Sequence, residues 1–188
     1  MARALVLLAD GFEDVEAVTP IDYLQRARIE VTAVSISESL TVTSKWGGIK
    51  MIARTTLAEL SKQGASSFDA VILPGGMPGS TNLAASKETG SLVKDMAAAG
   101  KVICAICAAP AIVLAPLGLL AGKNFTCYPG MEEKVNSSGS KWSDSRVVVD
   151  GNVITSRGAG TAGEFAAAII EKLIDKAAAK KIADAVLL

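Results

Sequence analysis

Val102-Ile103-Cys104-Ala105-Ile106-Cys107-Ala108-Ala109-Pro110 passes from a strand-like apolar run straight into a helix-like one, with no loop-forming residue between. The chain must therefore turn sharply at Ile106–Cys107. A nucleophile elbow makes such a turn, holding one residue in a strained conformation with its side chain above a sheet. Ala105, Ala108 and Ala109 are small enough to let it close. A helix starting just after the turn sets free N–H groups and partial positive charge beside the Cys107 thiol, which favours thiolate. The competing reading is a buried structural cysteine; the strand-to-helix position favours the reactive one. The uncharged run Val102–Gly122 is long enough to cross a bilayer. Pro110, Pro116 and Gly118 interrupt it, so it reads as a buried strand and a buried helix.

Outward from this stretch the same alternation recurs. Ala4–Leu8, Glu30–Ile36, Asp69–Leu73 and Lys101–Ala105 read as strands, followed by Arg146–Val149 and Asn152–Thr155. Short strands are expected over 40–55, around Trp46-Gly47-Gly48. Helical patterns fill the stretch up to Ala27, about 79–99, Ala108–Leu114, a segment after Thr161 and about 177–187. The first helix starts either near Glu13, with a kink, or at Pro20, where Thr19-Pro20 resembles an N-cap with proline at the first helical position. Thr161 and Glu164 have capping-box spacing. Uniformly apolar strands alternating with helices imply a mostly parallel sheet covered on both faces. Ligands in such α/β folds sit outside the carboxyl ends of the strands. That singles out four loops, 10–16, 74–80, 105–110 and 156–161.

Composition narrows the chemistry. The 188 residues suit a single domain, 1–188; half are apolar, and Lys+Arg and Asp+Glu stand at 19 each. Zero net charge without a basic block gives no footprint for nucleic acid or an anionic membrane. Three cysteines and no leader-like segment suit a reducing, cytoplasmic setting. The absence of histidine excludes Ser-His-Asp and Cys-His machinery and the common zinc sites, so no metal is expected.

Each loop has an ordinary and a functional reading. Cys104 and Cys107 form a C-x-x-C, but Cys104 lies within the strand run. Odd spacing along a strand points side chains to opposite faces, so Cys104 reads as core rather than as a redox partner. Pro74-Gly75-Gly76-Met77-Pro78-Gly79 is a strand-to-helix turn whose N–H groups, with that of Ala108, can form an anion pocket beside Cys107. Glu13, Asp14 and Glu16 read, on composition alone, as a solvated acidic helix start. Arg157-Gly158-Ala159-Gly160-Thr161 reads as a glycine-rich turn and cap, with Arg157 free to serve an interface or an anion.

Gly11-Phe12-Glu13-Asp14-Val15-Glu16, Leu73-Pro74-Gly75-Gly76, Ala105-Ile106-Cys107-Ala108-Ala109-Pro110 and Ser156-Arg157-Gly158-Ala159-Gly160-Thr161 occur in that order. Together they resemble the ThiJ/PfpI superfamily, specifically its DJ-one branch of parkinsonism-associated deglycase-like proteins, from about residue 3 to 187. The resemblance implies a flavodoxin-like three-layer sandwich and a homodimer. It implies Cys107 as the elbow nucleophile, Glu16 as its carboxyl partner, and Gly75, Gly76 and Ala108 around an anion pocket. It implies a protein of oxidative and carbonyl stress: a cofactor-free glyoxalase or deglycase acting on 2-oxoaldehydes or glycated protein, or a redox sensor and chaperone whose cysteine is oxidised to sulfinate. Thiolate and carboxylate side by side repel, so Glu16 is expected to hold a proton and to donate it toward sulfur. Several relatives place a histidine near the nucleophile, in the segment aligned with Thr126–Pro129; here Tyr128 stands there. A Cys-His peptidase mechanism is thereby excluded.

Overall fold

A computed structural model of the chain describes residues 1–63, 67–135 and 139–188. The elements follow in the order β1 (Arg3–Leu8), α1 (Asp14–Arg26), β2 (Glu30–Ser35), β3 (Thr41–Thr43), β4 (Lys50–Ile52), β5 (Thr55–Thr56) and α2 (Leu57–Gln63). Then come β6 (Ala70–Leu73), α3 (Gly79–Ala85), α4 (Lys87–Ala98), β7 (Val102–Ile106), β8 (Asn124–Phe125) and β9 (Lys141–Trp142). The chain closes with β10 (Val147–Asp150), β11 (Val153–Ser156), α5 (Ala162–Leu173) and α6 (Lys176–Ala185).

One sheet of seven strands, ordered β10-β11-β7-β6-β1-β2-β5, forms the middle layer. Every pairing in it is parallel except that of the edge strand β10 with β11. The period of two along each strand divides the core. Ala4, Val6 and Leu8 of β1, with Cys104 and Ile106 of β7, face the layer holding Leu24, Phe165, Ile169 and Ile182 of α1, α5 and α6. Leu5 and Leu7, with Ile103 and Ala105, face Leu57, Leu83 and Val93 of α2, α3 and α4. A strand covered on both faces needs apolar residues at every position, which is why ALVLL and VICAI do not alternate. The result is the expected α/β sandwich.

Of the two starts left open for the first helix the structure takes the earlier: it begins at Asp14 with Glu13 as N-cap, and Pro20 lies inside it. Other boundaries differ from the sequence expectation. The helical pattern over 79–99 divides at Ser86, whose Oγ accepts the Thr89 N–H at 3.1 Å and so starts a second helix. The segment after Cys107 is a five-residue π-helical turn, Pro110–Leu114, closed by the Ala115 N–H donating to the Pro110 carbonyl at 3.0 Å. Among the described residues no helix is long and apolar enough to cross a membrane. The last long helix starts after Thr161 as expected, but the capping box does not form. The Thr161 hydroxyl instead accepts the Gly158 N–H at 3.1 Å, and Glu164 reaches Arg146 at 2.7 Å.

Candidate active site

All four loops named by the strand-end rule meet at one end of β1, β6, β7 and β11. The elbow is present: Cys107 has φ +65°, a left-handed conformation that costs a residue with a Cβ about 1 kcal/mol or more. It is held there by two backbone bonds. The Cys107 N–H donates to the Ser156 carbonyl at 2.9 Å, and the Tyr128 N–H donates to the Cys107 carbonyl at 2.8 Å. Strand β11 and the 126–129 segment therefore clamp the turn from two sides.

Glu16, on the first turn of α1, is 1 % exposed. Its Oε2 accepts the Gly75 N–H at 2.9 Å, and its carboxyl hydrogen-bonds the Cys107 thiol. Its own N–H donates to the Glu13 carboxylate at 2.8 Å, which fixes the helix start. The three acids thus part company: Glu13 caps, while Glu16 turns inward. Gly75 is the hinge of this arrangement. A Cβ at Gly75 would lie 2.5 Å from Glu16 Oε2, 2.6 Å from Cys107 Cβ and 2.9 Å from the Ile106 carbonyl oxygen. Gly75→Ala is accordingly expected to destabilise the fold by about 1–3 kcal/mol, through overpacking against atoms that cannot retreat. Thermal unfolding monitored by circular dichroism checks this; an unchanged midpoint would refute the close approach.

The electrostatics follow from burial. Desolvation and the neighbouring Glu13 push the Glu16 carboxyl up to about 7, against the pull of the thiol, the Gly75 N–H and Lys45. Desolvation, the Glu16 charge and the Glu16 hydrogen bond push the Cys107 thiol up to about 12, while the Gly76 and Ala108 N–H groups draw it down. Protonating Glu16 removes the repulsion and makes the carboxyl a donor to sulfur. The thiolate therefore belongs to the state in which Glu16 carries the proton, and the two groups share it. This amends the expectation of a thiol acidified by a helix end. The Ala108 N–H, at the start of the helical segment, and the Gly76 N–H draw the thiol down, but burial and Glu16 outweigh them.

The three N–H groups expected around an anion go to two different partners. Gly76 and Ala108 direct N–H groups at the sulfur. The Gly75 N–H is already taken by Glu16. Tyr128 lines the cleft that holds the thiol, together with Glu13, Lys45, Trp46, Met77 and Met131. Arg157 does not line it; its guanidinium donates to the Asp144 carbonyl at 3.0 Å. Cys104 is wholly buried in the core, and burial pushes its thiol up. Cys127 is buried as well, and all three cysteines are free.

Lys45 and Trp46 were not legible as site residues. They sit at the tip of the β3–β4 hairpin, and bonds from Thr43 and Lys45 of that hairpin to Asp10, Gly11 and Phe12 bring them to the thiol. The cleft encloses about 250 Å³. A larger hollow of about 530 Å³ lies beside Arg3 and Glu30, the first residues of β1 and β2, and holds no thiol. The Cys107 thiol lies in the smaller one, at the strand ends.

The chain is 40 % identical to Drosophila melanogaster protein dj-1beta over 184 residues, 98 % of this chain and 96 % of that one. It is 35 % identical to a Caenorhabditis elegans protein named glutathione-independent glyoxalase DJR-1.2, over 90 % of this chain and 88 % of that one. It spans 46 % and 40 % of the length of the Arabidopsis thaliana DJ-1 homologs A and B, at 39 % identity to each. The structure of oxidized Toxoplasma gondii DJ-1 superposes with a TM-score of 0.93 at 35 % identity, covering 100 % of this chain and 98 % of that one. The DJ-1/PfpI family model matches residues 2–172, a span that contains the elbow, its carboxyl partner and the glycine turn. An elbow cysteine paired with a buried glutamic acid, on a sheet of this order and with relatives of this likeness, places the chain in the DJ-1/PfpI family.

Proposed function

We propose that the protein is a cofactor-free glyoxalase and deglycase for 2-oxoaldehydes and their early adducts on proteins, with Cys107 as nucleophile and Glu16 as proton carrier. The observation that carries this reading is the buried Glu16 carboxyl hydrogen-bonded to an elbow thiol that also faces the Gly76 and Ala108 N–H groups. A nucleophile, a proton carrier near pH 7 and an oxyanion pocket then sit on one substrate-sized cleft. The glyoxalase name of one relative supports the same reaction class.

The steps balance without an outside oxidant. The sulfur adds to the aldehyde carbon, and the oxyanion that forms is received by the Gly76 and Ala108 N–H groups and protonated to a hemithioacetal. Ionised Glu16 removes the hydrogen on that carbon as a proton, giving an enediolate; the hydroxyl proton passes from the first oxygen to the second, and Glu16 returns its proton to the adjacent carbon. The aldehyde carbon is thereby oxidised and the ketone carbon reduced, leaving a 2-hydroxyacyl thioester on Cys107. Water cleaves the thioester, releasing the 2-hydroxy acid and restoring the thiol. No histidine is present, so Glu16 is the group placed for both proton transfers. Three free thiols suit a reducing compartment, and the cytoplasm is proposed as its setting.

A second reading rests on the same donors. Protonated Glu16 and the two N–H groups are placed to hold the oxygens of a sulfinate on Cys107, as a redox sensor requires, and a relative's structure is of an oxidized form. Cys104 and Cys127 are both 0 % exposed, whereas Cys107 is half-buried. Titration of the native protein with peroxide is therefore expected to add two oxygens to the Cys107 peptide and none to the other two, read by peptide mass spectrometry. Oxidation spread evenly over the three cysteines would rule this reading out.

A further inference from the structure

Around the mouth of the thiol cleft the chain leaves two large aromatic faces unpacked. Trp46 is 75 % exposed and Tyr128 51 % exposed, and both line the same cleft as Cys107. Exposed rings on a wandering loop would mean little. These two are tied by backbone bonds to the loops that build the site. The Lys45 N–H donates to the Phe12 carbonyl at 2.7 Å, Ser44 bridges to Phe12, and the Gly47 N–H closes the hairpin turn onto the Ser44 carbonyl at 2.9 Å. The indole is further held by Lys45, whose Nζ lies 4.6 Å from its centroid. In the same cleft the Tyr128 N–H is bonded to Cys107 itself, and its ring lies against Gly158, where a Cβ would come within 3.5 Å. Met77 and Met131 line the remaining wall with adaptable thioethers. The smallest 2-oxoaldehydes, bonded to Sγ, would occupy only a fraction of the roughly 250 Å³ available.

We propose that Trp46 and Tyr128 form an aryl subsite, which gives the protein a preference for 2-oxoaldehydes bearing an aromatic side chain. The chemistry of such substrates rests on the glyoxalase reading above; the subsite itself is a statement about binding. A flat ring stacked or set edge-on against an aromatic face gains roughly tenfold in affinity over a methyl group at the same place.

Two measurements on the full chain test this. The first is the ratio of kcat/KM for phenylglyoxal to that for methylglyoxal in the wild type, Trp46→Ala, Tyr128→Ala and, as a control outside the cleft, Trp142→Phe. The second does not need turnover: the rate of Cys107 alkylation by iodoacetamide is measured against 1-phenyl-1,2-ethanediol and against 1,2-propanediol, uncharged mimics of the reduced substrates. The aryl diol is expected to give half-protection at about one-tenth the concentration of propanediol. Trp46→Ala and Tyr128→Ala are each expected to shrink both ratios severalfold, and Trp142→Phe to leave them alone. Equal protection by the two diols, or ratios that survive both alanine variants, overturns the subsite. If the wild type turns over neither aldehyde yet the aryl diol protects in a Trp46-dependent way, the glyoxalase reading falls and the subsite stands.

Discussion

Cys107→Ser is expected to lower kcat/KM for methylglyoxal on the order of 10³-fold or more, to the level of the buffer blank, with neither glutathione nor metal added. The magnitude follows from what the hydroxyl lacks. A serine oxygen is a poor nucleophile without a strong base beside it, and the chain has no histidine to act as one. Glu16 is too weak a base to generate an alkoxide, although it suffices to trade a proton with a thiol. The mutation is conservative in volume, so the fold should persist and the loss should appear in kcat rather than in expression. The comparison that gives the result meaning is Cys104→Ala. Cys104 faces the layer made by α1, α5 and α6 and has no access to the cleft. Its removal costs some core packing and should leave turnover within a few-fold of wild type. Equal rates for wild type and Cys107→Ser would end the enzymatic reading.

The second large effect is on stability. Glu16→Gln is expected to raise the unfolding free energy at pH 8 by up to roughly 3 kcal/mol and to remove most of the pH dependence of stability between pH 4.5 and 7. Burial lifts the Glu16 carboxyl from 4.5 in the unfolded chain to about 7 in the fold. Between those values the native state holds a proton that the unfolded state has released, so stability falls as pH rises through the window. At about 1.4 kcal/mol per pH unit that interval is worth roughly 3 kcal/mol, fully felt above pH 7. The glutamine is nearly isosteric: it can accept the Gly75 N–H and donate to the sulfur, so the variant keeps the geometry of protonated Glu16. With no histidine in the chain, few other groups titrate in that window, so the signal is unusually clean. Chemical denaturation at a series of pH values from 5 to 8.5 measures it. A wild-type curve that rises with pH over this range would contradict the buried carboxyl. The same variant should lose turnover, since an amide cannot ferry a proton between two carbons. Gained stability with lost activity is the signature of a site whose function requires burying a titratable group.

The elbow, the parallel sheet and the four loops could be read from the chain because each has a local cause. Val102–Ile106 is apolar at every position, which only a strand covered on both faces demands, and nothing in Ile106-Cys107-Ala108 allows a gradual turn. Period-two facing likewise placed Cys104 in the core. The resemblance of four short motifs then brought Glu16 to Cys107, which composition alone did not do, since an acid in the first turn of a helix is ordinarily a solvated one.

What remained hidden depends on contacts distant in sequence. Lys45 and Trp46 reach the thiol because Lys45 donates to the Phe12 carbonyl and Thr43 accepts the Gly11 N–H, an association no local pattern encodes. The division of labour between Gly75 and Gly76 depends on which N–H the Glu16 carboxyl reaches first. Thr161 and Glu164 had the spacing of a capping box, but the hydroxyl bonds Gly158 and the carboxylate bonds Arg146, two partners that lie outside the helix. The proton balance of Cys107 and Glu16 belongs to the same class. The residue types were written in the sequence, but desolvation and the distance between two loops set their affinities for a proton, and both quantities exist only once the sheet has brought the loops together.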